Sequence, residues 1–184
     1  GVRRAVSEAV MRPVMQSASR AESGFARNVW RWGLLCANAC DRLGQQNKAG
    51  SDLFMIGLMP SLAYLTLYRE LESIAQDQTG NRRLLPSMVE DALRRETGPM
   101  LESLLEAWRL PSRYEYHLRE LRETPLGWAE SPLSKGMILG TREALRDAGQ
   151  KTLLQSELVR ITRLDPRLVE QVQKRIQADT TTDG

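Results

Sequence analysis

The stretch Phe54–Leu71, FMIGLMPSLAYLTLYREL, is the most apolar run of this 184-residue chain. At helical spacing its apolar side chains occupy one face and most of the remaining circumference. Because a helix that is hydrophobic nearly all round must be wrapped by other helices, the run predicts a buried central helix. Its length approaches that of a membrane span, but Pro60 and Ser61 interrupt it and charged residues follow, so no membrane span is predicted.

The rest of the chain repeats the i, i+3, i+4 spacing of amphipathic helices, beginning with Val2–Ser19. No run alternates with the two-residue period of a strand, and no internal repeat of fixed length is present. The pattern predicts an all-α fold, a single bundle of about seven to nine helices around the central one. We expect one helical domain over residues 1–178 and a disordered polar tail over residues 179–184. Because the chain begins with Gly1 inside a helical pattern, it is interpreted as a fragment of a longer protein.

Local signals predict where several helices begin and end. Ser23 is a candidate N-cap for the helix that precedes the central run, and Ser87 with Glu90 has the spacing of a capping box. The pair Gly98-Pro99 predicts a break between two helices. Asp165 followed by Pro166 predicts a helix start, with Asp as the N-cap and Pro at the first helical position.

Positive charge is concentrated near the N-terminus. The net charge is only +3, yet residues 1–31 contain six Arg against two Glu. Such a basic end is suited to an acidic partner, nucleic acid or lipid headgroups, and its plainer interpretation is a solvated helix face. The candidate basic interaction surface consists of Arg3, Arg4, Arg12, Arg27 and Arg31.

Residues that commonly carry catalysis are scarce. Cys36 and Cys40 stand four apart, which places both on one helical face in a geometry that suits a disulfide poorly, so we expect buried core thiols. His117 is the only histidine, and no phosphate-binding loop, CxxC pair or HExxH motif is present. The sequence therefore predicts no cofactor and no metal, and it does not require an oxidising compartment.

Four motifs in order resemble the HDOD variety of the HD superfamily of phosphohydrolases. GLMPSLAYL stands where that superfamily has GLLHDIGKL, and DLFMIGLM precedes it as a similar segment does in HDOD domains. The other three motifs are FARNVWRWGLLCANA, LLEAWRLPSRYEYHLRE and SPLSKGMILGTREALRDAG. The resemblance covers most of residues 1–149. It implies an HD-like helical bundle whose N-terminal helices lie upstream, in a cytoplasmic bacterial signalling protein.

The chain departs from that family at the positions of the metal ligands. Metal-dependent members use histidines and a His-Asp pair, and the resemblance places this chain's counterparts at Trp32, Pro60, Ser61, Thr97, Leu121 and Arg122. None of these side chains is an imidazole or a carboxylate, so metal-activated hydrolysis is not expected. The resemblance thus implies a degenerate pocket and a pseudoenzyme.

The resulting hypothesis is a non-catalytic signal-transduction module. It would bind a partner protein, a fused signalling domain or a small signal molecule, and the resemblance implies the cyclic-di-GMP pathway among the candidates. Two alternatives stay open: an enzyme with a rebuilt, metal-free pocket using Ser61, Thr97 or Arg122, and a basic nucleic-acid-binding domain, which the residues favour less. Self-association as a homodimer is also open.

Overall fold

The computed structural model describes residues 20–46, 53–80, 84–109, 112–123 and 129–182. Within these ranges the chain is all-α, without strands, which confirms the predicted fold class and helix number. The predicted N-terminal helix over Val2–Ser19 lies outside the described residues. The seven helices are α1 (Arg20–Gln46), α2 (Leu53–Thr79), α3 (Pro86–Ala107), α4 (Arg113–Glu123), α5 (Pro132–Asp147), α6 (Gln155–Thr162) and α7 (Pro166–Thr182).

The predicted central run forms the N-terminal half of α2, and residues 53–67 are buried apart from three half-buried positions. It shares the centre of the bundle with α1, which packs against α2, α5 and α7. The buried apolar side chains form three clusters: one joins α2 to α3, α4 and α5, one joins α1 to α2, and one joins α1 to α5, α6 and α7. Helix α1 therefore packs against α2 on one side and against α5 and α7 on the other.

Small residues let these helices approach closely. On α5, a Cβ atom added at Gly136 would lie 2.6 Å from the backbone N and Cα of Cys40, and one added at Gly140 would lie still closer to Cys36. On the opposite side of α1, a Cβ atom at Gly33 would overlap the Ser61 hydroxyl of α2. Backbones therefore meet at distances that no larger side chain permits.

Three predicted helix boundaries are wrong. Helix α1 begins at Arg20, so Ser23 lies inside it, and α3 begins at Pro86 after the N-cap Leu85, so Ser87 does not cap it. Helix α3 also continues through Gly98-Pro99. Proline removes one backbone hydrogen bond from a helix interior, but burial of Leu101 and Leu105 against α2 favours continuing the same helix beyond it.

The C-terminal boundaries follow the sequence more closely. Ser131 caps α5, and its hydroxyl accepts a hydrogen bond from the Ser134 amide at 3.1 Å. The Asp165 carboxylate accepts hydrogen bonds from the amides of Arg167 (2.8 Å) and Leu168 (3.3 Å), which confirms the predicted start of α7. The helix extends to Thr182.

Among the described helices, none is both long enough and apolar enough to span a membrane. Helix α2 is the most apolar, but its second half carries charged side chains.

Candidate functional site

The position that the HDOD resemblance assigns to the first metal ligand is Trp32 on α1. Its indole Nε1 donates a hydrogen bond to the Thr141 hydroxyl of α5 at 2.9 Å. Its ring lies against that of Tyr64 on α2, with centroids 5.2 Å apart. Burial raises the pKa of Tyr64, which stays a neutral phenol at physiological pH. Trp32 therefore joins three helices at the place where a histidine would hold metal.

Pro60 and Ser61 stand where the resemblance places the His-Asp pair. Both are buried, and the Ser61 hydroxyl donates a hydrogen bond to the Leu58 carbonyl of its own helix at 2.8 Å. The same hydroxyl lies against Gly33, the residue after Trp32. The structure thus places Ser61 of α2 against α1 at the residue that follows Trp32, where the two helices cross.

The remaining predicted pocket positions are less informative. The Thr97 hydroxyl donates a hydrogen bond to the Leu93 carbonyl of α3 at 2.5 Å, so it too is directed at its own helix. Leu121 and Arg122 belong to α4, but their side chains lie outside the described residues. No contact joins Thr97 to Trp32 or Ser61 within the described part of the chain.

The crossing does not fit a divalent metal. Its side chains supply one indole, one phenol and hydroxyls already bonded to protein oxygens, whereas protein metal sites use imidazole, thiolate and carboxylate ligands. Among the residues that the structure describes, no group of three His, Cys, Asp or Glu side chains is placed to hold a metal ion. No metal-dependent step is therefore assigned to this crossing.

The two cysteines are free, and both are buried where α1 meets α5. The Cys36 thiol lies 3.7 Å from the Thr141 hydroxyl and the Cys40 thiol donates to the Leu133 carbonyl at 3.4 Å. Burial raises the pKa of Cys36 to about 12 and that of Cys40 well above 9.0. Because a thiolate is the reactive form of cysteine, neither thiol is suited to nucleophilic catalysis in the folded protein.

The raised pKa of Cys36 predicts a pH dependence of stability. The Cys36 thiol loses its proton near pH 9.0 in the unfolded chain and at about pH 12 in the folded protein. Between these pH values the folded state therefore binds one proton more than the unfolded state. The free energy of unfolding should therefore fall as pH rises through this window, by about 1 kcal/mol per pH unit for this thiol. Urea unfolding curves at increasing pH measure it. A Cys36→Ala variant should lose stability less steeply, and parallel curves for the two proteins would contradict the assignment.

His117, Glu120 and Ser134 form a short polar chain between α4 and α5. The Ser134 hydroxyl donates to Glu120 Oε1 at 3.2 Å, and His117 Nδ1 lies 3.9 Å from Glu120 Oε2. In a hydrolytic triad the imidazole contacts the nucleophile directly and the carboxylate stands behind it. Here the carboxylate stands between the hydroxyl and the imidazole, so His117 is not placed to take the Ser134 proton.

An open groove of about 720 Å³ runs between α3 and α4. Leu101, Leu105 and Leu118 line its floor, and charged side chains of both signs line its sides. Because these charges include Glu106, Glu115, Arg109 and Arg119, the groove offers no single electrostatic preference.

Glu143 on α5 is a buried ionisable residue that the sequence analysis did not single out. Its carboxylate is fully buried and pairs with Arg142 and Arg146, each at 2.5 Å. It also accepts hydrogen bonds from Gln173 (2.8 Å) and Gln177 (3.2 Å) of α7. A signal was present, since Glu143 continues the i, i+3, i+4, i+7 face that begins at Gly136. The network fixes α7 on the bundle.

The candidate basic surface at the N-terminus is only partly visible. Arg3, Arg4 and Arg12 lie outside the described residues. The Arg31 guanidinium pairs with Asp147 of α5 at 2.6 Å, so its charge is balanced by a carboxylate within the fold. Arg27 is exposed, and its side chain makes no hydrogen bond or ion pair with the residues that the structure describes.

Comparison with known proteins gives no family assignment. No protein-family model, no curated protein and no solved structure matches this chain. The HDOD resemblance therefore rests on the motifs alone, and the function has to be inferred from the residues themselves.

Proposed function

We propose that this chain is a non-catalytic regulatory module of the HDOD type that acts by binding a partner protein or a fused signalling domain. The observation that carries the proposal is the chemistry of the α1–α2 crossing. Trp32 and Ser61 lie on the two helices of this crossing, at positions that the resemblance assigns to metal ligands, and both use their polar atoms for contacts inside the bundle. The crossing stabilises the fold and leaves no donor set for activating water.

The alternative of a rebuilt, metal-free pocket receives less support. It requires hydroxyls that can reach a phosphate, yet Ser61 is fully buried and Thr97 is bonded to its own helix. The nucleic-acid alternative at the N-terminus is weakened because Arg31 is paired with Asp147. A bacterial cytoplasmic location is part of the proposal, and two free, buried thiols agree with a reducing compartment.

Elemental analysis and a hydrolysis assay test the proposal together. The purified protein is expected to carry no stoichiometric Mn, Fe or Zn, and to leave bis(p-nitrophenyl) phosphate unhydrolysed when these metals are added. The Ser61→Ala variant provides the control, because it removes the hydroxyl that a rebuilt pocket would use. Stoichiometric metal, or turnover that Ser61→Ala abolishes, would contradict the proposal.

A further inference from the structure

The exposed face of α6 and α7 is strongly basic. Residues 151–178 contain six cations and three carboxylates. All six cations are exposed, and none of their side chains makes a hydrogen bond or ion pair with the residues that the structure describes. We name them the C-terminal basic surface: Lys151, Arg160, Arg163, Arg167, Lys174 and Arg175.

The carboxylates of the same segment do little to neutralise it. Glu157 accepts a hydrogen bond from the Leu154 amide at 2.8 Å, and Asp165 caps α7. Glu170 is exposed four residues before Lys174, yet it forms no ion pair with it. Arg160 lies in the last turn of α6, where a cation interacts favourably with the helix macrodipole. The segment as a whole nevertheless keeps an excess of positive charge on its exposed side.

Helix α3 shows the opposite arrangement. Arg94 pairs with Glu90 at 2.9 Å and Arg95 pairs with Asp91 at 3.3 Å, each across one helical turn. These four side chains form a self-neutralised, solvated face of the kind that stabilises an isolated helix. Helix α3 thus neutralises its own exposed charge, whereas the cations of α6 and α7 form no such pairs with the residues that the structure describes.

The fold brings the basic residues together. Arg160 lies in the last turn of α6, Arg163 follows that helix in a left-handed backbone conformation, and Arg167 lies in the first turn of α7. Lys174 follows Arg167 by two helical turns and therefore shares its face. A hydrogen bond of 3.0 Å between Gln155 and Gln173 holds the start of α6 beside the middle of α7.

Exposed leucines lie in or beside the same segment. Leu154, with 66% of its area exposed, immediately precedes α6, and Leu153 and Leu145 are also exposed. Arg142 Nε of α5 donates to the Leu153 carbonyl at 3.4 Å, which holds the backbone before α6 against α5. Residues 129–182 contain no aromatic side chain on which a nucleic-acid base could stack. Apolar side chains beside cations suit a protein segment that presents both leucines and carboxylates.

We propose that the C-terminal basic surface, with Leu145, Leu153 and Leu154, is the docking face for an acidic amphipathic helix of a partner protein. The inference rests on the proposed function and specifies its partner. Carboxylates of the partner would meet the unpaired guanidinium and ammonium groups, while its apolar residues would cover the leucines. Since the rim charges are exposed, the affinity should fall with ionic strength.

Calorimetric titration of the full chain with designed peptides tests the inference. The probe is a helical peptide with leucines on one face and glutamates on the other, and its comparison carries lysines in place of the glutamates. The variant Arg167→Glu with Lys174→Glu should weaken binding of the glutamate peptide about tenfold or more. The matched control is Arg94→Glu with Arg95→Glu, which reverses two exposed cations on α3 and should leave the affinity unchanged.

Several outcomes would overturn the inference. The first is that the lysine peptide binds as tightly as the glutamate peptide. The second is that the protein with Arg167→Glu and Lys174→Glu keeps its affinity for the glutamate peptide. The third is that duplex DNA or phosphatidylserine vesicles bind through the same residues more tightly than the glutamate peptide does. Failure of the peptide to bind, in a protein without metal or hydrolytic activity, would refute this surface and leave the regulatory function standing. Metal-dependent turnover would instead refute the regulatory function itself.

Discussion

Replacing Gly140 with valine is expected to abolish stable folding. Even the first atom of a side chain at this position would collide with the backbone N and Cα of Cys36, and backbone atoms cannot move aside as a flexible side chain can. Overpacking a core costs about 1–3 kcal/mol where side chains can adjust, and this site offers less adjustment. The loss is a large part of the roughly 5–15 kcal/mol that stabilises a typical domain.

Urea unfolding followed by circular dichroism measures this loss. The graded variant Gly140→Ala should be destabilised less than Gly140→Val. Gly24→Ala is the matched control, because an added Cβ atom there would meet nothing within 4 Å and α1 should gain the higher helix propensity of alanine. Equal stability of Gly140→Ala and Gly24→Ala would contradict the close approach of α5 to α1.

The second large effect is expected for Glu143→Ala. The substitution leaves Arg142 largely buried without its carboxylate and removes the acceptor of Gln173 and Gln177. Breaking a buried ion pair by removing one partner typically costs about 3–5 kcal/mol, because the remaining charge stays desolvated and unpaired. We expect a loss of this order in the free energy of unfolding, together with faster amide exchange in α7.

The control for this substitution is Glu90→Ala. Glu90 also pairs with an arginine, Arg94, but both side chains are mostly exposed, so the change should cost less than about 1 kcal/mol. Hydrogen exchange followed by mass spectrometry separates local from global effects in both proteins. The assignment would be wrong if Glu143→Ala and Glu90→Ala lost similar stability, or if protection fell equally in α2 and α7.

Much of the fold was predictable because the signals are local. The apolar run at residues 54–71 predicted a buried helix, and its buried face follows from the helical period alone. Asp165-Pro166 predicted the start of α7, since an N-cap needs only the amides of the next turn. The boundary at Gly98-Pro99 was mispredicted because contacts with α2 outweigh the missing backbone hydrogen bond.

The candidate site was predictable in part. The resemblance singled out Trp32 and Ser61, but it did not indicate the hydrogen bond from Trp32 to Thr141, since nothing in either local pattern names the partner. The predicted basic residue Arg31 turned out to pair with Asp147, 116 positions along the chain. The C-terminal basic surface was missed because the same Arg-rich composition describes paired and unpaired faces alike.

The sequence by itself determined that this protein is helical, which stretches are apolar, and that His117 is its only histidine. These properties depend on residue type and on spacings of three or four residues, which a single helix already realises. Only the tertiary structure decided which helix lies against which, that Glu143 is buried among arginine and glutamine side chains, and that the cations of α6 and α7 make no ion pair with the part of the chain that the structure describes. Those outcomes depend on contacts between residues far apart in the chain, where packing shape and desolvation select one arrangement from many.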